Sequence, residues 1–145
     1  FELAQREVVR AHRFGRPLSA MLLDIDLFKN INDTYGHLTG DMILAGVSAE
    51  FIRQLRQVDL LGRYGGDEFI ALLPETELAQ AIQIAERLRK SVSELKFNTS
   101  SGQVRVTVSV GVAVLEKDDN LETLIKKADK ALYRAKEVGR NNVGD

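Results

Sequence analysis

The chain has 145 residues, 44% of them hydrophobic and 28% charged, with a formal net charge of −1 and no cysteine. Those values describe one globular domain over residues 1–145, long enough for a single core. They exclude disulfide scaffolds, thiolate catalysis and cysteine-ligated zinc, and the near-zero charge argues against a nonspecific nucleic-acid binder. The longest apolar stretch, near 108–115, is strand-length and far short of a membrane span. No signal peptide opens the chain. We therefore expect a cytoplasmic domain that contacts neither nucleic acid nor membrane. The start at Phe1, inside a predicted helix, reads as a module excised from a longer protein, with a sensor or membrane segment upstream.

Apolar residues at Phe1, Ala4, Val8 and Ala11 predict a helix over 1–14, ended by Gly15 and Pro17. The apolar run 18–25 reads as a central strand buried on both faces. It closes on Asp24-Ile25-Asp26, with both acids on one side at the edge of the core. Asp26 reads as the N-cap of a short helix over 27–32. Asp24 has no such role, and a carboxylate at the end of a buried strand is costly unless paired or bound to metal. Gly36 and Gly40 mark a loop before a helix over 41–57, whose apolar stripe is Leu44, Val47, Phe51 and Leu55.

Two short strands, 58–61 and 69–73, flank Gly65-Gly66, which reads as a tight hairpin because glycine takes φ > 0 without steric cost. Asp67 and Glu68 leave that turn. Folding does not require them, and a pair of acids there suggests a hard cation such as Mg²⁺ with a phosphorylated ligand. A helix over 76–95 follows, with Leu78, Ile82, Ala85, Leu88 and Val92 inward. After a loop at 98–102, alternation over 104–114 predicts a half-buried antiparallel strand, with Arg105, Thr107 and Ser109 on its open face. A last helix is capped by Asn120 and ends with Gly139 at C′, and the short tail could form an edge strand.

This order predicts an α+β, ferredoxin-like fold of the nucleotide-cyclase or palm type: a mainly antiparallel sheet flanked by helices, with the hairpin in its middle. Such a sheet brings Asp24 towards Asp67 and Glu68, an oxygen-ligand site for a divalent metal on a nucleoside triphosphate. The alternative is a solvated acidic edge. Lys136 and Arg140, four apart at the end of the last helix, and Lys29 sketch a phosphate clamp, although basic residues favour helix C-termini in any case.

In order along the chain stand Asp24-Ile25-Asp26-Leu27-Phe28-Lys29, Asn32-Asp33, Gly36-His37, Gly40-Asp41 and Arg63-Tyr64-Gly65-Gly66-Asp67-Glu68-Phe69. Ser109-Val110-Gly111, Ala128-Asp129, Ala135-Lys136 and Gly139-Arg140-Asn141 follow. Jointly they resemble the GGDEF domain of the diguanylate cyclases, over nearly the whole chain. The resemblance implies a nucleotidyl transferase that condenses two GTP into cyclic di-GMP and two pyrophosphates, with two subunits facing each other. It implies Mg²⁺, or Mn²⁺, held by Asp24, the Ile25 carbonyl and Asp67. Asp67 would also be the general base, Glu68 would assist at a second metal position, and Lys29 would stabilise transition-state charge. Gly65 and Gly66 would let the triphosphate approach the backbone, and Lys136 and Arg140 would grip phosphates. Asn32 and Asp41 match the guanine-binding pair, with His37 nearby and Leu44 as a packing surface. Arg56 and Asp59 match the Arg-x-x-Asp site for inhibitory cyclic di-GMP, and Arg87 its second arginine.

The chain departs from the family pattern in lacking the opening Asp-x-Leu-Thr segment and in having Leu27 where an aromatic residue or histidine is common. The competing functions are a turnover-deficient module that senses GTP or cyclic di-GMP, and another palm-like nucleotidyl transferase.

Overall fold

Leu18–Ile25 is buried at every position, as a strand must be when helices cover both faces of its sheet. The computed structural model describes residues 1–145. Its elements are α1 (Glu2–Phe14), β1 (Leu18–Ile25), α2 (Phe28–Tyr35), α3 (His37–Gln54), β2 (Leu60–Arg63) and β3 (Glu68–Pro74). They continue with α4 (Leu78–Ser93), β4 (Phe97–Thr99), β5 (Gly102–Val104), β6 (Val108–Val114), α5 (Leu121–Glu137) and β7 (Val143–Gly144). The main sheet has the order β2-β3-β1-β6-β7, with β1 antiparallel to both β3 and β6 and β7 parallel to β6. This is the expected α+β arrangement, with the tail added as an edge strand.

Alternation along β1 divides the core. Met21, Leu23 and Ile25 pack with Ile43, Val47 and Phe51 of α3 and Leu88 of α4. Leu18, Ala20 and Leu22 pack with Val8 of α1 and Leu124, Ala128 and Leu132 of α5. No helix is long and apolar enough to cross a membrane.

Four local expectations need correction. First, α3 begins at His37 rather than at Asp41, so Gly40 and Asp41 lie inside a helix. Second, Asp26 does not cap α2. The N-cap is Leu27, in a left-handed conformation at φ 55°, without a side-chain bond. Third, Gly65 and Gly66 are absent from the positive-φ residues; the turn spans residues 64–67 and closes through the Glu68 carbonyl, which accepts from the Tyr64 and Gly65 amides. Fourth, the strand expected over 104–114 is interrupted. Val104 pairs with Phe97 in a separate hairpin, β6 starts at Val108, and Ser109 is fully buried rather than on an open face.

Helix α5 lies very close to β6. A Cβ at Gly111 would collide with the Ala128 carbonyl and the Leu132 amide and stand 2.7 Å from the Leu132 Cα. These are backbone atoms of a packed helix and cannot swing aside. The Ser-Val-Gly segment therefore has a packing reason for its glycine. Gly111→Ala should lower the unfolding free energy by about 1–3 kcal/mol, an overpacking cost, read as an earlier urea midpoint; an unchanged midpoint would contradict this close approach.

Candidate functional site

The C-terminal end of β1 meets the β2–β3 turn. Asp24 is the register partner of Glu68 on one side and of Ser109 on the other. Just beyond, the Ile25 amide donates to the Asp67 carbonyl at 3.2 Å. Asp24 is only 7% exposed. Its Oδ2 accepts from Lys136 Nζ, which reaches over from the last turn of α5, while its Oδ1 is buried with no hydrogen-bond partner. Burial pushes the Asp24 carboxyl up, Lys136 opposes the shift, and neighbouring Asp67 adds to it, leaving the carboxyl at about 7. In this sheet a carboxylate is harder to ionise than in the unfolded chain. Its contribution to stability is therefore complete below the unfolded value of 3.8 and is lost as the pH rises to about 7.

No three acidic side chains converge on a closed metal cage. Asp24 and Asp67 come together, and the Glu68 carboxylate lies over the turn, close enough that a Cβ on Gly65 would lie 3.0 Å from its Oε2. The donors present nonetheless fit a hard cation, since a buried carboxylate oxygen is unsatisfied beside a second acid. Two carboxylates suit Mg²⁺, which takes the rest of its octahedron from water and substrate phosphate. Gly66 has no atom within 4 Å of where a Cβ would be, leaving the turn open on that side.

The candidate base pocket lies between α2 and α3. His37, Asp41 and Leu44 recur at i, i+4 and i+7 and so share one face of α3. His37 and Asp41 are exposed and Leu44 is half-buried. Asn32 on α2 faces the same helix, and its Oδ1 is the other buried side-chain oxygen without a partner. A Cβ at Gly40 would overlap that oxygen and lie 3.0 Å from Asn32 Cγ. Gly40 is thus part of the pocket by having no side chain, a role hidden when it is taken for loop punctuation. Lys29, on the first turn of α2, is exposed. Arg140 is exposed in a left-handed turn (φ 63°) just after α5.

Arg56 and Asp59 are already engaged. Arg56 Nη2 donates to Asp59 Oδ1 at 2.8 Å and Nε to Oδ2 at 3.2 Å. The Asp59 side chain is only 1% exposed, so this is not a loose surface pair. Arg56 Nη2 also donates to the Pro74 carbonyl at 3.0 Å and to Thr76 Oγ1 at 2.9 Å, tying the pair to the end of β3. Arg87 on α4 donates to the Gln54 carbonyl at 3.1 Å, two residues from Arg56. A cavity of about 240 Å³ beside Arg56 is lined by Glu7, Arg10, Val58, Pro74 and Glu75. The contribution of α1 to that cavity had no signal in the sequence.

The family model described as "Diguanylate cyclase, GGDEF domain" matches residues 1–142. The chain belongs to the GGDEF family. It is 42% identical over 142 residues to diguanylate cyclase DgcP of Pseudomonas aeruginosa, covering 98% of this chain and 21% of that protein. It is 46% identical over 139 residues to the response regulator PleD of Caulobacter vibrioides, covering 94% of this chain and 31% of PleD. The chain thus spans roughly a fifth to a third of the length of these curated relatives. Among solved structures, the GGDEF domain of DgcB from Caulobacter crescentus, in complex with c-di-GMP, superposes with a TM-score of 0.95 at 32% identity, covering 99% of this chain and 85% of that one. Diguanylate cyclase SiaD of Pseudomonas aeruginosa, bound to its activator SiaC, gives 0.92 at 38% identity, covering 97% of this chain and 54% of SiaD.

A cation held at Asp24 of this GGDEF domain would have to displace the proton of that raised carboxyl, so the affinity of such a site would depend on pH. Mn²⁺ titrated into nucleotide-free protein and followed by electron paramagnetic resonance should bind with an affinity that falls about tenfold per pH unit below about 7. Asp24→Asn should abolish that binding; a pH-independent affinity would refute the assignment.

Proposed function

We propose that this domain is a diguanylate cyclase that condenses two GTP into cyclic di-GMP, in the cytoplasm and as a two-fold pair of subunits each presenting one nucleotide. Each 3′-oxygen attacks the α-phosphorus of the facing GTP, and the bond from that phosphorus to the leaving pyrophosphate breaks; two such events close the ring. The observation that carries this proposal is the unsatisfied buried oxygen of Asp24, set beside Asp67 and Lys136 where β1 meets the turn. Matching relatives that are themselves named diguanylate cyclases support it.

Asp24, the Ile25 carbonyl and Asp67 would hold Mg²⁺ or Mn²⁺, with Glu68 at a second position, and the metal when bound supplies charge neutralisation at the phosphate and a lower pKa for the 3′-hydroxyl. Asp67 takes the proton from that hydroxyl. Lys136, whose ammonium bonds Asp24 here, would be free to turn to the phosphates with Arg140 if a cation took its place on the carboxylate. Lys29 balances charge that grows in transfer. Asp41 and Asn32 select the base. Asp41 accepts from guanine N1–H and the exocyclic amine, whereas adenine would leave it unpaired at a cost of about 1–3 kcal/mol. His37 and Leu44 complete the wall of the pocket.

Arg56 and Asp59, with Arg87, form the product-inhibition site in this account. Because Arg56 also binds Pro74 and Thr76, its loss has two effects. Arg56→Ala should relieve inhibition and also lower the melting temperature, by leaving the buried Asp59 carboxylate with the backbone amide of residue 56 but without its guanidinium partner. Arg87→Ala should relieve inhibition without the stability loss. If neither variant changes inhibition by added cyclic di-GMP, the site is misassigned.

The primary test is product analysis by mass after incubation with GTP and Mg²⁺. Wild-type protein should yield cyclic di-GMP, and Asp67→Ala none while keeping its circular dichroism spectrum. A wild-type rate in Asp67→Ala would refute the role given to that residue.

A further inference from the structure

Two carboxylates close β1, and their hydrogen bonding is opposite. Asp24 leaves an oxygen unsatisfied, whereas Asp26, 6% exposed, has both oxygens hydrogen-bonded. Asp26 Oδ2 accepts from Thr107 Oγ1 at 2.7 Å and from the Asn141 backbone amide at 2.9 Å. Its Oδ1 accepts from Ser109 Oγ at 2.7 Å. A carboxylate with both oxygens engaged by protein donors is poorly suited to ligating a metal or moving a proton. The backbone donor among the three shows what it does instead. The Asn141 amide belongs to the turn after α5, where Gly139, Arg140 and Asn141 all have positive φ (130°, 63° and 44°). Consecutive left-handed residues with side chains cost energy and persist only where surroundings fix them. Backbone bonds from the Gly139 and Arg140 amides to the Lys136 and Ala135 carbonyls close the helix end, and two further bonds fix the turn at Asn141. One is Asp26 to the Asn141 amide, and the other is Arg89 Nη1 to Asn141 Oδ1 at 2.8 Å.

We propose that Asp26 is a positioning residue that acts through Arg140: it holds the strained turn in the shape that presents the Arg140 guanidinium to the substrate triphosphate. The inference rests on the diguanylate cyclase reading for the identity of the ligand. The end of β1 thereby grips α5 and its turn twice, through the Lys136 ammonium at Asp24 and through backbone at Asp26. Arg89, on α4, braces the turn from the opposite side. Asp26→Asn can keep the arrangement, since one amide oxygen can accept from Asn141 and Thr107 while its NH₂ donates to the Ser109 hydroxyl, which rotates to accept. Asp26→Ala cannot.

The test is equilibrium binding of a GTP analogue with a methylene in place of the α,β-bridging oxygen, on the full protein with Mg²⁺, alongside KM and kcat for GTP. Asp26→Ala should weaken binding about tenfold and raise KM more than it lowers kcat, the scale of one charge-assisted hydrogen bond. Asp26→Asn should restore both. Arg89→Ala, which leaves the core untouched, should weaken binding by a smaller factor and serves if Asp26→Ala does not fold. In an Arg140→Ala background, Asp26→Ala and Arg89→Ala should each add less than about twofold, because the effect they transmit is already gone. Full additivity in that background overturns the proposal even if Arg140→Ala weakens binding. If Arg140→Ala itself leaves analogue binding unchanged while wild type still makes cyclic di-GMP, the route through Arg140 is wrong and the activity assignment stands. Absence of cyclic di-GMP from wild type would instead remove the reading on which the proposal rests.

Discussion

A carboxylate that has been taken out of water needs its lost hydration replaced, and at Asp24 the replacement is incomplete. Lys136 satisfies one oxygen, neighbouring Asp67 favours the protonated form, and the remaining oxygen has no donor. Much of the architecture can be followed outward from that deficit. β1 is buried on both faces because α3 and α4 cover one side of the sheet and α1 and α5 the other, so any acid at its end is desolvated. β3 pairs with β1 in the register that sets Glu68 opposite Asp24. Helix α5 must lie close enough for Lys136 to reach, and Gly111 permits this by removing the side chain that would hold the helix off. A structure that tolerates such a cost at one position commonly does so where function needs a poised group.

Asp26, two residues on, shows how differently the same chemical group is used when its bonds are complete. It draws β6 and the turn after α5 together through Thr107, Ser109 and Asn141. In the proposed mechanism the first acid is free to change partners because the second does not. The Arg56–Asp59 pair follows the same logic of completion, with a buried carboxylate held by a guanidinium that also spans to Pro74 and Thr76.

The sequence made β1 legible to the residue, because eight buried positions in a row leave little ambiguity. The start of α5 was equally plain, since the Asn120 side chain caps it within one turn by accepting from the Thr123 amide. What failed was local and had local causes. Gly40 looked like a loop marker, but it lies within α3 to make room for Asn32. Asp26 has the composition of a helix cap, yet its partners lie 81 to 115 residues away and no nearby pattern announces them. Gly65 and Gly66 suggested a left-handed two-residue turn, whereas a four-residue turn closing on the Glu68 carbonyl does not need positive φ there. The valine alternation beyond β6 continued through a real break, because Val104 and Val106 are buried as well, from a hairpin and its exit. The candidate site was legible in its residue types and order, while the state of its hydrogen bonds required the fold.

Asp24 is a buried carboxyl whose charge is unfavourable even with Lys136 beside it. Carbon-13 NMR of the aspartate side chains, assigned at Asp24 and followed across pH in metal-free protein, measures that directly. Its titration midpoint should lie near 7, far above 3.8, and should fall when Mg²⁺ is added. A midpoint at the ordinary carboxylate value, unmoved by Mg²⁺, would contradict the account.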